Sequence, residues 1–270
     1  MRCIRRQFDK NLDSVVSMLK FAYSTINWGD TCDLAQTFSE IRQTGWRAVE
    51  LFAHSLEWLG TPQRCTAMLG DLKAATLFGS VDLPANDQQR TVHKNRIEYC
   101  AAIGATAYGL VGAGRPRTRP PTTDEMRDLA GLCDDLAAHG KAFGVTVAYH
   151  PHTRCTVQTE AEIDQLMALT QHLTLCLDVS HIAVVGEDPV TQLHKYRQRL
   201  GYVHLKDWGH GDFTGLGFGT IGINFAACLR ELEQQAFAGW VVVEQSLSEV
   251  SAQHSAQHNA DFLKGLGYAI

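Results

Sequence analysis

The sequence predicts a single (β/α)8 TIM barrel of the α/β class, and three observations carry that prediction. Short apolar runs rich in β-forming residues alternate eight times with longer runs of helical period, the pattern of successive βαβ units on a parallel sheet. A length of 270 residues suits one barrel domain, and 45% hydrophobic residues supply a large core. Gly45, Gly104, Gly144, Gly201 and Gly239 each fall just before a strand-like run, where the C-cap of a preceding helix belongs.

Taken in order, residues 1–18 are basic and polar at their start and read as an extension outside the barrel, which then occupies 19–270. Strands are predicted at 19–25, 47–52, 75–81, 106–111, 145–150, 173–178, 201–206 and 240–244. Helices are predicted at 32–44, 62–74, 86–103, 122–143, 159–170, 188–199, 223–236 and 253–265. Thr123-Asp124-Glu125 and Asp188-Pro189 carry helix-start signals. The stretch 112–121, with Arg115, Arg117 and Arg119, reads as a mobile, solvated loop at the active-site end. His93, His139, His172, His194, His254 and His258 fall on helices or their ends and read as surface residues.

A net charge of −5, from 24 basic and 29 acidic residues, lacks the basic footprint of a nucleic-acid binder. No run reaches the roughly 18 apolar residues of a membrane span, and the first ten residues do not resemble a signal peptide. The eight cysteines form no C-x-x-C pair and read as reduced thiols of a cytoplasmic protein. Exposed barrel helices leave room for a homo-oligomer.

In such barrels the active site lies at the C-terminal ends of the strands. Those ends carry Trp28, Glu50, His150 and His152, Asp178 and His181, His204 and Lys206, and Glu244. Each has an ordinary reading. Asp178 suits a helix N-cap, His204 a buried histidine of the inner layer, and His150-Pro151-His152 a turn. Glu244 has little structural use, because an unpaired buried carboxylate is costly. Four successive strand ends each supply a metal-capable side chain, His150, Asp178, His204 and Glu244, 28, 26 and 40 residues apart. Two imidazoles and two carboxylates suit one divalent ion, Mn²⁺ or Co²⁺ foremost, with Zn²⁺, Fe²⁺ or Mg²⁺ compatible. Such an ion polarises a carbonyl and stabilises an enediolate, which points to a small polyhydroxylated carbonyl substrate.

The stretches Val147-Ala148-Tyr149-His150-Pro151-His152, Leu177-Asp178-Val179-Ser180-His181, Tyr202-Val203-His204-Leu205-Lys206-Asp207 and Gly239-Trp240-Val241-Val242-Val243-Glu244 resemble the xylose isomerase-like superfamily of sugar isomerases and epimerases. The likeness is to its inosose dehydratase branch above all, and is strongest over 140–245. The resemblance implies a metal on His150, Asp178, His204 and Glu244. Many isomerase and epimerase members carry Glu where this chain has His150. Without that second carboxylate base, elimination by a metal-dependent carbon–oxygen lyase, acting on a keto-polyol or keto-sugar, is the leading expectation. A metal-dependent sugar isomerase or epimerase is the alternative, and a non-catalytic sugar-binding barrel the third. His152, Lys206 and Glu50 are the expected proton-transfer groups; His181, Trp28 and Trp208 are the expected substrate contacts.

Overall fold

Eight parallel strands close into a barrel in the computed structural model, in the order β1-β10-β7-β6-β5-β4-β3-β2. The structure describes residues 19–115, 119–246 and 248–270; the extension predicted at 1–18 and Arg117 lie outside them. The barrel strands are β1 (Lys20–Ser24), β2 (Ala48–Leu51), β3 (Lys73–Val81), β4 (Ala107–Gly112), β5 (Thr146–Tyr149), β6 (Thr174–Asp178), β7 (Leu200–Leu205) and β10 (Trp240–Val243). The predicted (β/α)8 barrel is therefore the observed fold, with strand bounds shifted by a residue or two.

The helices around it are α1 (Leu34–Gln43), α2 (Leu56–Leu59), α3 (Pro62–Leu69), α4 (Asp87–Ala102), α5 (Thr123–Ala142), α6 (Glu160–Ala168), α7 (Val179–Val184), α8 (Pro189–Lys195), α9 (Phe225–Gln234) and α10 (Ala252–Gly265). Capping decides most of their starts. Asp33, Asn86, Asp188 and Asn224 each accept a backbone N–H in the first turn, and Thr122 with Glu125 forms a reciprocal capping box. The predicted helix 62–74 stops at Leu69, because Gly70 turns the chain at φ 62° and β3 begins at Lys73.

The short helix α2 has no counterpart among the predicted elements, and neither do α7 and a β-hairpin. Helix α7 starts directly at the end of β6, and β8 (Asp207–Gly209) pairs antiparallel with β9 (Asp212–Thr214) in a hairpin above β7. Two glycine assignments also need correction. Gly201 lies inside β7 and Gly239 abuts it, and neither turns the chain to positive φ. A Cβ at Gly201 would lie 2.4 Å from Thr174 Oγ1, and one at Gly239 2.4 Å from the Gly201 carbonyl oxygen, so tight packing excludes a side chain at both.

Inside the barrel the strand alternation lays down a layer of Ala22, Ala48, Ala75, Ala107, Ala148, Cys176 and Val242 around the rings of Phe78 and Tyr202. Tyr202 fits only because Gly109 faces it: a Cβ there would lie 1.8 Å from the Tyr202 hydroxyl. This packed layer floors the site above it. The larger core lies between strands and helices and includes Trp46, Phe38, Ile41, Tyr108 and Leu136.

The loop after β4 is tied down where it is described, contrary to expectation. Gly114 bridges to Cys155, Arg115 N–H donates to the Arg154 carbonyl, and Arg115 pairs with Glu162 at 2.7 Å. Arg119 forms a two-pronged pair with Glu125. His93 is likewise no surface residue, being 4% exposed on the inward face of α4. The seven described cysteines are free, and among the described residues no helix is long and apolar enough to cross a membrane.

Candidate active site

Register assembles the site. Side chains two apart share a strand face, so above the layer of Ala148, Cys176, Tyr202 and Val242 stand His150, Asp178, His204 and Glu244 respectively. Asp178 is the lateral partner of His204 on β7, and Val242 on β10 is the other. The four side chains are 2%, 1%, 0% and 4% exposed, which puts four polar groups into a volume sealed from bulk water. One donor atom from each lies within 4.8 Å of all the others, so the structure brings together the whole predicted quartet.

The orientation of these atoms fits a shared ion. Both ring nitrogens of His150, Asp178 Oδ2 and His204 Nδ1 are buried and have no hydrogen-bond partner. His150 Nε2 stands 3.5 Å from Asp178 Oδ2, and His204 Nδ1 2.8 Å from Glu244 Oε2 without hydrogen-bond alignment. Ligands about 2.1 Å from one ion stand roughly 3.0 Å apart in octahedral and 3.4 Å in tetrahedral arrangement, values that fall between these two spacings.

Partners around the quartet hold it in place. Asp178 Oδ1 caps α7 by accepting the N–H groups of Ser180 and His181, leaving Oδ2 turned inward. The helix-cap reading of Asp178 is thus realised on Oδ1, and Oδ2 is left to face the quartet. Glu50, on β2 across the bore, accepts from His204 Nε2 at 3.0 Å and from Thr76 Oγ1 at 2.7 Å. That bond places a proton on His204 Nε2 and makes Nδ1 the nitrogen that could face an ion; burial alone would lower the imidazole pKa, but Cys176, Glu50 and Glu244 raise it well above the ordinary histidine value.

Lys206 is 2% exposed, donates to Glu244 Oε1 at 2.6 Å and stands 3.5 Å from Asp178 Oδ2. Burial alone would lower its pKa, but Glu244 and Asp178 outweigh burial and raise it above the ordinary lysine value. Burial would raise the Asp178 carboxyl, yet Lys206 and His181 hold it well below the usual range.

His152 packs its ring against His181, centroids 3.8 Å apart. Burial, with His150 and Lys206 nearby, lowers its pKa to about 4. Its Nδ1–H donates to the Thr153 carbonyl, which leaves Nε2 as the basic nitrogen. His181 Nδ1 accepts from Thr153 Oγ1 at 3.1 Å, so its Nε2 carries the proton, and that atom is buried with no partner.

The tryptophans are placed differently from one another. Trp208, on β8, faces Phe213 of β9, whose ring lies 4.6 Å from His181 and 4.3 Å from Lys206 Nζ. Trp28 donates its indole N–H to Glu40 of α1 and packs on Tyr23, with no bond or ring contact to the quartet. Phe213 was missed by the sequence reading because it sits on the unforeseen hairpin. Cys176 was missed as well, although its position two residues before Asp178 marks it as inward-facing; with His150 and His204 it forms a second convergent donor set.

A model of the xylose isomerase-like TIM barrel family matches residues 38–266. An inosose dehydratase of Lacticaseibacillus casei is 31% identical over 166 residues, 53% of this chain and 55% of that protein, so the match spans about half of that relative's length. An inosose dehydratase of Geobacillus kaustophilus (strain HTA426) is 33% identical over an alignment of 283 residues, 86% of this chain and 89% of that one. The solved structure of IOLI protein with a binding zinc atom superposes with a TM-score of 0.76 over 92% of this chain and 98% of that chain, at 17% identity, a likeness of fold. With its closed barrel and its quartet of inward donors at successive strand ends, this chain belongs to the xylose isomerase-like TIM barrel family.

Proposed function

We propose that the protein is a divalent-metal-dependent carbon–oxygen lyase that removes water from a keto-polyol or keto-sugar. The observation that carries this reading is the buried quartet His150, Asp178, His204 and Glu244, whose inward donor atoms converge and mostly lack partners. These four are the proposed ligands, and Mn²⁺ or Co²⁺ the proposed ion. The relatives described as inosose dehydratases support the substrate class. A bound ion supplies Lewis acidity toward a substrate carbonyl.

The chain's own residues supply the rest. Elimination takes a proton from the carbon beside the carbonyl and expels a β-hydroxyl group as water. His152 offers a neutral imidazole whose Nε2 is free to accept a proton. Lys206 is held protonated by two carboxylates and offers its Nζ proton to the departing hydroxyl. His181 presents a buried, unpartnered Nε2–H to a substrate oxygen, and Phe213 with Trp208 gives an aromatic wall for the apolar face of the substrate. Glu50, expected to move protons, is assigned instead to orienting His204, and Trp28 to holding the first strand–helix connection.

The test is incubation of metal-loaded protein with keto-inositols and 3-keto-glycosides, followed by mass spectrometry. Loss of water or aglycone is the expected result. A product of unchanged formula would replace the lyase by an isomerase or epimerase, and saturable binding without turnover would leave a sugar-binding barrel.

A further inference from the structure

Behind β3 lies a second polar cavity, of about 610 Å³, lined in part by Gly79, Ser80, Gln88, His93 and Arg96. None of the four quartet residues lines it. The Phe78 ring faces His150 and His204 inside the barrel, whereas the missing side chain of Gly79 points outward, to Tyr108 and Arg96.

Arg96 is the unusual group there. It is 9% exposed, yet no carboxylate pairs with it among the described residues. Its Nη2 donates to the carbonyls of His54 and Phe78, at 3.0 and 2.9 Å, and its Nε is buried with no partner. A buried charge is ordinarily matched by an opposite one, because removing it from water unpaired is costly. Beside it, buried His93 is bonded to the Tyr108 hydroxyl at 2.6 Å and lends no negative charge. A Cβ at Gly79 would lie 2.4 Å from the Tyr108 hydroxyl and 3.5 Å from Arg96 Nε, so the glycine makes room for a neutral hydroxyl, and for no anionic side chain, beside that edge of the guanidinium.

We infer that this cavity is an anion-binding site that takes the phosphate or carboxylate group of a small hydroxylated molecule, with Arg96 as its counter-charge. A guanidinium is the side chain best shaped for either group. Ser80 and Gln88 are exposed at the rim and offer neutral partners to hydroxyls. The acidic liner, Asp82, is exposed to solvent, where salt screens it.

Calorimetric titration of the full chain with inorganic phosphate, and separately with glycolate, tests the site. Saturable binding of one anion per chain is expected, and the preferred probe assigns the group as phosphate or carboxylate. Arg96→Gln and Ser80→Glu should each weaken that binding roughly tenfold or more, with Ser80→Gln close to the parent. Should Arg96→Gln fail to fold, the pair of exposed Ser80 variants decides alone. No saturable binding of either anion, or equal affinity in Ser80→Glu and Ser80→Gln, overturns the proposal. So does binding that is lost in Asp178→Asn but kept in Ser80→Glu, because that anion sits at the histidine quartet.

Discussion

At Asp178, one carboxylate oxygen accepts two backbone N–H groups of α7 while the other faces His150 and Lys206. Asparagine caps helices about as well as aspartate, so Asp178→Asn should keep the helix start and lose the inward anion. Metal affinity is expected to fall on the order of a hundredfold or more, beyond the loss typical of groups that only orient a ligand. His181→Ala, which removes a side chain outside the quartet, should cost less. Competition titration against a chromogenic chelator measures both; an equal or larger loss in His181→Ala reverses the assignment. At His150, replacement by Glu should preserve metal binding, since both donor types suit Mn²⁺ and Co²⁺. Elimination should fall, because a third carboxylate weakens the ion's pull on developing negative charge. Deuterium uptake from D₂O into recovered substrate would report a regained second base, and undiminished elimination would show that His150 does not set the reaction type.

Helix α4 has the bounds its sequence predicts to within a residue, but not the exposed histidine. Its buried face carries His93 and Arg96 beside Ile97, Tyr99 and Cys100, so no clean apolar stripe distinguishes inside from outside, and His93 reads as a surface residue. Burial, with Arg96 nearby, lowers its pKa to about 4 against a backbone bond at Ser80 that raises it. The unfolded chain therefore binds the proton more readily between about pH 6.5 and 4. The His93 contribution to stability is complete above that window, is lost as pH falls through it, and levels off below. A shift of that size is worth up to about 3 kcal/mol. Urea unfolding at pH 7.5 and pH 4.5 checks this: His93→Gln should lose less stability on acidification than the parent. Equal losses would place the acid sensitivity elsewhere. The hairpin β8–β9 and helix α7 were invisible for another reason. Three-residue strands and a helix of six residues are too short to show a period, and Asp178, ending one element and capping the next, leaves no loop to mark the boundary.

Over the whole molecule, what was legible follows strand periodicity. Their places at the ends of four successive predicted strands made His150, Asp178, His204 and Glu244 identifiable, and strand alternation in the barrel turns them inward. Pairings between distant strands were not legible: the contact of Glu50 with His204 joins residues 154 apart in sequence, and only barrel closure creates it. The same closure explains the small residues of the bore. Gly109→Ala puts a methyl group into the Tyr202 hydroxyl and should cost about 1–3 kcal/mol through overpacking. A reduced denaturation midpoint with an unchanged slope is the expected signature, and an unchanged midpoint would mean that Tyr202 has another place to go.

First and last strands meet where Phe21, Ala22 and Tyr23 lie beside Val241, Val242 and Val243, and Glu244 follows that last strand immediately. A growing chain thus lacks its fourth proposed donor until nearly all of the barrel has been made, and an ion bound there clasps the final stave of the cask to its neighbours. Parting this last strand from β7, its neighbour on the other side, would require the ion to let go, because Glu244 and His204 lie on either side of that seam. At a free metal concentration of one hundred dissociation constants the clasp is worth about 2.7 kcal/mol. Amide hydrogen exchange at residues 203–205 and 241–243 should slow accordingly when metal is added, while slowing confined to the strands of His150 and Asp178 would show a seam that holds itself shut.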